Sequence, residues 1–423
     1  MSVFLLVVFF VLSFMGIPLA ISLGLASIGT VVLYGLPITI IARLMYTSMN
    51  SFLLVAVPLF ILAGTVMEKG GVADRIFAAA KSYVGRFRGG LGMVNIIASF
   101  IFGGISGSSV ADVGSLGPLE IKAMTDEGYD KSYSAALTMV TSTLSSVVPP
   151  SILMIIAAVA AGQSVGACLA GGFGPALTIS GIFMIQNYLI ARRRGYGIRV
   201  KRSFREIVSI VLGSIPALFS PIIILFGMFS GFVTPTEAAA IAVLYTLLVS
   251  SVVYRRMPWK EFPRMVISAG ITSGTILLVA MTASVATYIF AVDQLPMKVS
   301  ALMLGLSQSP ALIMVLMGFI FIIVGMFLDI TAAILLLTPV LMPTAVQVGV
   351  NPVHFVVFMV TALSIGLSTP PVGVCLFATS LVSHTSIEKI VKASWQFYAT
   401  MFLFISVFAM TPQISMIFVR LFT

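Results

Sequence analysis

Leu144 to Ile152 reads LSSVVPPSI, and Ile365 to Gly373 reads IGLSTPPVG. Laid on one another by their Pro-Pro pairs, Pro149-Pro150 on Pro370-Pro371, the two stretches stand 221 positions apart (370 − 149). The same offset carries Gly104 onto Gly325, Ser145 onto Gly366, Val148 onto Thr369 and Ser151 onto Val372. Both stretches lie inside long apolar runs. Proline lacks a backbone donor and disfavours helix at the residue before it, so each run must break in its middle. The carbonyls freed there, Ser145 to Val148 and Gly366 to Thr369, need partners that lipid cannot supply. Cations can supply them, and helix N-termini at the same breaks offer N–H groups to an anion.

The rest of the chain agrees with that depth. Of 423 residues, 59% are hydrophobic and 9% charged, and the mean hydropathy is +1.16; a soluble domain carries about 25% charged residues. Apolar runs longer than roughly 18 residues recur along the whole length. The class is an all-α polytopic membrane protein. The opening MSVFLLVVFFVLSFMG has no basic residue and is followed by more membrane sequence, so it reads as a first span rather than a signal peptide. Residues 2–34 read as two short spans broken at Gly16-Ile17-Pro18. Cys168 and Cys375 lack metal-ligand spacing and read as packing residues.

The net charge of +10 is a matter of topology, not of nucleic acid. Ala191 to Glu206 holds seven Lys or Arg, Tyr254 to Arg264 four, and Glu68 to Gly90 five. Short basic loops face the cytoplasm. Spans at about 207–231 and 236–254 separate two of these loops, as sidedness requires. Working outward, spans fall at about 133–162, 166–191, 264–293, 353–383 and 394–421. The run of about 92–125 then enters and leaves on the cytoplasmic side. Two full crossings do not fit in it, so it is a re-entrant hairpin with GGISGSSVADV (Gly103 to Val113) at its tip. The run of about 309–347, with GMFLDITAA (Gly325 to Ala333) at its centre, is a second hairpin entering from outside. This topology puts 20 of the 23 Lys and Arg on the cytoplasmic side. Inverted repeats with interrupted helices are the mark of a secondary transporter.

Three carboxylates fall inside apolar runs: Asp112, Asp329 and Glu237. Asp112 follows Ser106, Ser108 and Ser109 and points to function. Asp329 serves a site or caps a broken helix. Glu237 sits at N3 behind Thr234 and Pro235, a capping box. GISG (Gly104 to Gly107) also matches a serine-protease pattern, but His354 and His384 lie near the loops and not at the serine's depth. An aspartyl protease would need Asp112 and Asp329 to meet. No G-x-x-x-x-G-K-[ST] loop is present, so the chain has no evident means of using ATP.

GGISGSSVAD, LGPLEIKAM, VVPPSI, GFVTPTEAAAIAVLY and STPPVG together resemble the large membrane subunit of tripartite ATP-independent periplasmic (TRAP) transporters, along essentially the whole chain. The resemblance implies an elevator-type transporter, not an enzyme, in the bacterial inner membrane. It implies sodium-driven uptake of an organic acid, two or more Na+ per cycle, a small four-helix membrane subunit and a periplasmic substrate-binding protein. One sodium site matches Ser106, Ser145, Val148 and Pro150; the second matches Gly325, Gly366, Thr369 and Val372. The substrate-contact serine and aspartate match Ser108 and Asp112. A carboxylate beside an anion makes sense if Asp112 accepts hydrogen bonds from substrate hydroxyl or amide groups, or lowers the energy of a nearby cation. Dicarboxylate carriers often show S-S-P-A-T in the first hairpin; SSVAD here is nearer the sialic-acid type, which favours a sugar acid over a dicarboxylate. The mobile body is expected at 92–191 and 309–423, and the scaffold at 1–90 and 207–300. A stand-alone sodium/anion symporter of related fold and an intramembrane protease are the alternatives.

Overall fold

The computed structural model describes residues 1–85, 87–196 and 204–422. Arg86 and the basic stretch 197–203, which the charge argument used, lie outside the described residues. Helix α1 (Ser2–Phe14) and α2 (Leu19–Leu33) are separate, broken where Gly16 takes φ +87° ahead of Pro18. They are followed by α3 (Thr39–Met49), a 3-10 turn (Phe52–Val55) and α4 (Ala56–Lys69). The segment after Glu68 is mostly a helix and not a loop: α5 (Val72–Val84) buries Val72, Ile76, Phe77 and Ala80 along one face and exposes Asp74. Its 3.6-residue apolar period, masked by the basic residues, is what folds it.

The first repeat then begins. Helix α6 (Gly90–Ser106) descends, and α7 (Ser109–Ser115) and α8 (Gly117–Asp126) return. Helix α9 (Lys131–Ser142) tightens into a 3-10 turn (Thr143–Ser146), breaks over 147–151 and resumes as α10 (Ile152–Ala160). The long α11 (Val165–Arg194) follows. Helices α12 (Phe204–Phe229), α13 (Pro235–Leu248), α14 (Phe262–Val292) and α15 (Leu295–Leu306) complete the middle. The capping box at Thr234 and Glu237 is formed, with Glu237 Oε2 accepting from Thr234 N at 2.7 Å.

The second repeat has the same order. Helices α16 (Pro310–Phe327) and α17 (Ile330–Gln347) make the hairpin. Helix α18 (Pro352–Gly366) breaks over 367–373 and resumes as α19 (Val374–Ser383). The final span differs from the expected 394–421: α20 runs Ile387–Met410, and α21 (Gln413–Phe422) is a separate short helix. Pro412 cannot donate to the preceding turn and pushes Thr411 out of helical geometry (φ −125°, ψ 75°). Among the described residues there is no strand, and eight helices are long and apolar enough to cross a membrane.

The two repeats embrace. Helix α10 packs on α17, and α19 packs on α7, so the far half of each broken helix supports the other repeat's hairpin. Within each repeat the first hairpin arm crosses its own broken helix at glycine. A Cβ on Gly325 would lie 2.6 Å from Leu363 O, and one on Gly366 would lie 2.7 Å from Gly325 Cα. At the equivalent crossing, a Cβ on Gly104 would lie 2.8 Å from Pro149 O. Small residues let backbones approach where lipid offers no hydrophobic drive.

These crossings should resist any side chain. Gly104→Val and Gly325→Val are each expected to destabilise the purified protein by about 1–3 kcal/mol, as overpacking does. Gly181→Ala, whose Cβ would meet nothing within 4 Å, should leave the thermal midpoint no lower. Unchanged midpoints for both valine variants would show that the helices can part at no cost.

Candidate functional site

The two hairpin tips are built alike. Gly107 ends α6 with φ +60°, and a Cβ there would lie 2.8 Å from Ile152 N, so only glycine lets the tip rest on the start of α10. Ser108 is then extended (φ −138°), and its Oγ accepts from Ala111 N at 3.4 Å to cap α7. In the other hairpin Asp329 caps α17, its Oδ1 accepting from Thr331 N at 2.9 Å. Ser108 and Asp329 are 221 positions apart (329 − 108), so these caps are repeat-related. Short oxygen-bearing side chains satisfy the first free N–H groups of a helix, and here they do so facing each other.

Both caps line one cavity of about 540 Å³. Its other wall is Gly64, Thr65 and Glu68 of α4 with Thr272, Thr275 and Val279 of α14. Ser106, Ser146, Ile152 and Leu153 complete the first-repeat side, and Leu367 the second. These positions occupy the ends of α4 and α14 nearest the basic loops, so the cavity lies toward the cytoplasmic side. Among the described residues no Lys, Arg or His lines it; Glu68 and Asp329 are the acidic residues that do. Asp329 thus both caps a helix and faces the cavity.

Behind the tips lie the two breaks. Each holds a cis Pro-Pro bond, Pro149-Pro150 and Pro370-Pro371. Val147 N and Val148 N both reach back to Leu144 O, while among the described residues no backbone N–H donates to the carbonyls of Val148 or Pro150. The same is true of Thr369 and Val372 in the second break. Ser145, Val148 and Pro150 are buried, and Ser106 lies at the adjoining tip, lining the cavity. In the second repeat Gly325 and Gly366 touch, and Gly373 N donates to Met326 O at 3.0 Å, which ties the break carrying Thr369 and Val372 to the end of α16. In each repeat the fold thus brings the first hairpin arm against the break of its own broken helix. Carbonyl and hydroxyl oxygens are the ligands hard cations take.

Asp112 is placed elsewhere. It does not line the cavity but turns inward, 1% exposed, toward the hydroxyls of Ser99 and Ser145. Sequence reading missed a second interior acid, Glu120, which is fully buried. Its Oε2 accepts from Asn95 Nδ2 at 2.8 Å, Asn95 Nδ2 also lies 2.6 Å from Thr138 Oγ1, and Asn95 Oδ1 accepts from Thr141 Oγ1 at 2.7 Å. This polar seam joins α6, α8 and α9. The signal available was spacing: Leu116 N bonds Asp112 O and Glu120 N bonds Leu116 O, so Asp112 and Glu120 share one helical face.

The family model for the tripartite ATP-independent periplasmic transporter, DctM component, matches residues 6–414. The chain belongs to that family. It is 35% identical over 412 residues to the sialic acid TRAP transporter large permease protein SiaM of Vibrio cholerae, covering 97% of this chain and 96% of that protein. It is 36% identical over 405 residues to the isethionate TRAP transporter permease protein DctMQ of Oleidesulfovibrio alaskensis, covering 95% of this chain but only 64% of that protein's length. The C4-dicarboxylate large permease DctM of Pseudomonas aeruginosa is 32% identical, with 93% of each chain covered. In fold, the chain is similar to the YdaH transporter of Alcanivorax borkumensis, with a TM-score of 0.57 at 13% identity, covering 84% of this chain and 85% of that one. This TRAP large permease is accordingly a multi-pass inner-membrane transport protein and not an enzyme. Members of the family work with a small membrane subunit and a periplasmic binding protein.

The cap and the cavity roles of Asp329 in this TRAP permease can be separated. Asp329→Asn keeps the cap and removes the charge, so it should fold like the parent while changing KM for the transported substrate. Asp329→Ala should change KM and also lose about 0.5–2 kcal/mol of stability. Uptake kinetics alongside thermal unfolding check both; an unchanged KM in both variants would leave Asp329 as a cap alone.

Proposed function

We propose that this permease imports an organic acid anion from a periplasmic binding protein, driven by sodium, with a small membrane subunit as its partner. The observation that carries the reading is electrostatic. Among the described residues the cavity at the hairpin tips has carboxylates and no cationic side chain, and an anion buried there needs a counter-charge. Free carbonyls at Val148, Pro150, Thr369 and Val372 stand at the breaks against both tips, and sodium held there supplies it. Ser106 and Ser145 complete the first set, and Gly325 and Gly366 admit the backbone to the second.

The substrate is proposed to be a hydroxylated acid of the sialic-acid type. Ser108, Thr65, Thr272, Thr275 and Asp329 offer many hydroxyl and carboxylate oxygens around a volume of about 540 Å³, matched to several donors on one ligand. Similarity to a sialic acid permease and the SSVAD tip support it. Ser108 is the hairpin residue placed for contact; the burial of Asp112 favours a role toward a cation over one toward the substrate.

Alternating access is proposed to follow an elevator displacement of 92–191 and 309–423 against 1–90 and 207–300. A second cavity, about 260 Å³, lies farther along α14 at Ala280, Ala283, Ser284 and Thr287. The helix rise between the two sets of α14 residues corresponds to a travel of roughly 12 Å. Small side chains there leave room for the tips.

Reconstitution tests the reading. Proteoliposomes holding the permease, its small subunit and its binding protein should take up a sialic-type acid with an inward sodium gradient, and not with potassium alone. Omitting either partner should abolish uptake; full activity from this chain by itself would instead establish the stand-alone symporter.

A further inference from the structure

The hairpin interior holds a carboxylate that nothing in the protein neutralises. Asp112 is 1% exposed, and neither of its oxygens has a hydrogen-bond partner. The hydroxyls of Ser99 and Ser145 are its polar neighbours, and their other contacts are at long range: Ser145 Oγ reaches Ser99 O at 3.4 Å, and Ser99 Oγ reaches Thr141 Oγ1 at 3.4 Å. Both of those bonds are long, so both hydroxyls have lone pairs free to turn. Among the described residues no ion pair includes Asp112. The neighbouring ionisable groups are Glu120 on α8 and Cys375 on α19, and neither brings positive charge. Ordinary ionised carboxylates at this burial are paired or ion-bound.

We propose that Asp112, with the hydroxyls of Ser99 and Ser145, forms a monovalent cation site inside the first hairpin, among residues that do not line the substrate cavity. The inference rests on the sodium-coupled reading above and adds to two sets of neutral oxygens a further site that carries a charged ligand. Three separate elements contribute: α6 through Ser99, α7 through Asp112 and the 3-10 turn through Ser145. A cation there would clamp the hairpin tip to the broken helix that carries Val148 and Pro150. Cation occupancy would thereby precondition the tip on which Ser108 meets the substrate. The second repeat has alanine at the equivalent position, Ala333 (112 + 221), so the site has no symmetry mate.

The test compares the purified full-length protein with Asp112→Asn and Ser99→Ala in thermal unfolding. NaCl is exchanged for KCl at constant ionic strength, and sodium stoichiometry is measured by equilibrium binding of labelled sodium. The parent should be stabilised by sodium and not by potassium. Asp112→Asn, freed of a buried unpaired charge, should equal or exceed the parent without sodium and fall behind it in sodium. It should bind one sodium fewer. Ser99→Ala should keep the stoichiometry and weaken the apparent sodium affinity about tenfold, the low end for lost metal-site contacts. If Asp112→Asn fails to fold, the Ser99→Ala affinity shift still decides. A sodium response and stoichiometry identical in parent and Asp112→Asn would overturn the Asp112 site alone, since a carboxylate neutralised by a proton predicts that result. A parent with no sodium response would overturn the site together with the sodium-coupled function.

Discussion

The structure turns on backbone carbonyls that two proline pairs set free at membrane depth. Lipid offers no donor, and an unsatisfied polar group there costs several kcal/mol. Val148, Pro150, Thr369 and Val372 keep their carbonyls unbonded to backbone N–H, so the chain must enclose them in protein and present them to something positive. The glycine crossings do the enclosing. Gly104 and Gly325 bring the first arm of each hairpin to within side-chain-free distance of its broken helix, and the far half of each broken helix supports the opposite hairpin. The cavity is what remains where the two tips stop short of α4 and α14.

That constraint also explains why the cavity carries the wrong sign of charge for an anion. Glu68 and Asp329 repel a bare carboxylate, and no Lys or Arg is present to offset them. On the sodium-coupled reading proposed above, a site built this way binds anion and cations well together and either one poorly alone. Mutual dependence of that kind is a coupling free energy between sites. On that reading it would guard against the leak that a lysine-lined pocket permits, because a fixed positive side chain would hold the anion without any cation.

Much of this was legible because it rests on local chemistry. The proline offset located both breaks, the loop charges ordered the spans, and Thr234-Pro235-Glu237 announced its capping box. What escaped depends on packing between helices. Glu120 lies in LEIKAM, beside Lys122, and reads as the wet base of the hairpin; only the fold shows α6 and α9 closing over it through Asn95 and Thr138. The face that Asp112 presents follows from the extended Ser108, which sets the helix phase one residue later than the glycines suggest. Helix α5 was hidden because charge, not period, dominated its reading, and the end of α20 was missed because Pro412 outweighs an uninterrupted apolar composition.

The seam from Glu120 through Asn95 and Thr141 toward Ser99 has a mechanical consequence. Hydrogen bonds inside a low-dielectric interior are strong, and breaking a buried network exposes every member of it. Asn95 alone bridges α6 to α8 and α9 with bonds of 2.6 to 2.8 Å. The first hairpin is thus fastened to its broken helix along its length and not only at the tip. A hairpin fastened in that way cannot hinge open independently to release its cargo. On the proposed elevator reading, access changes by carrying hairpin, break and cavity wall together past α4 and α14, whose cavity-lining residues, among them Gly64, Thr65, Thr272 and Thr275, form no hydrogen bond to the tips among the described residues. On that reading the polar interior keeps the displaced part rigid, and the sparsely bonded interface lets it travel.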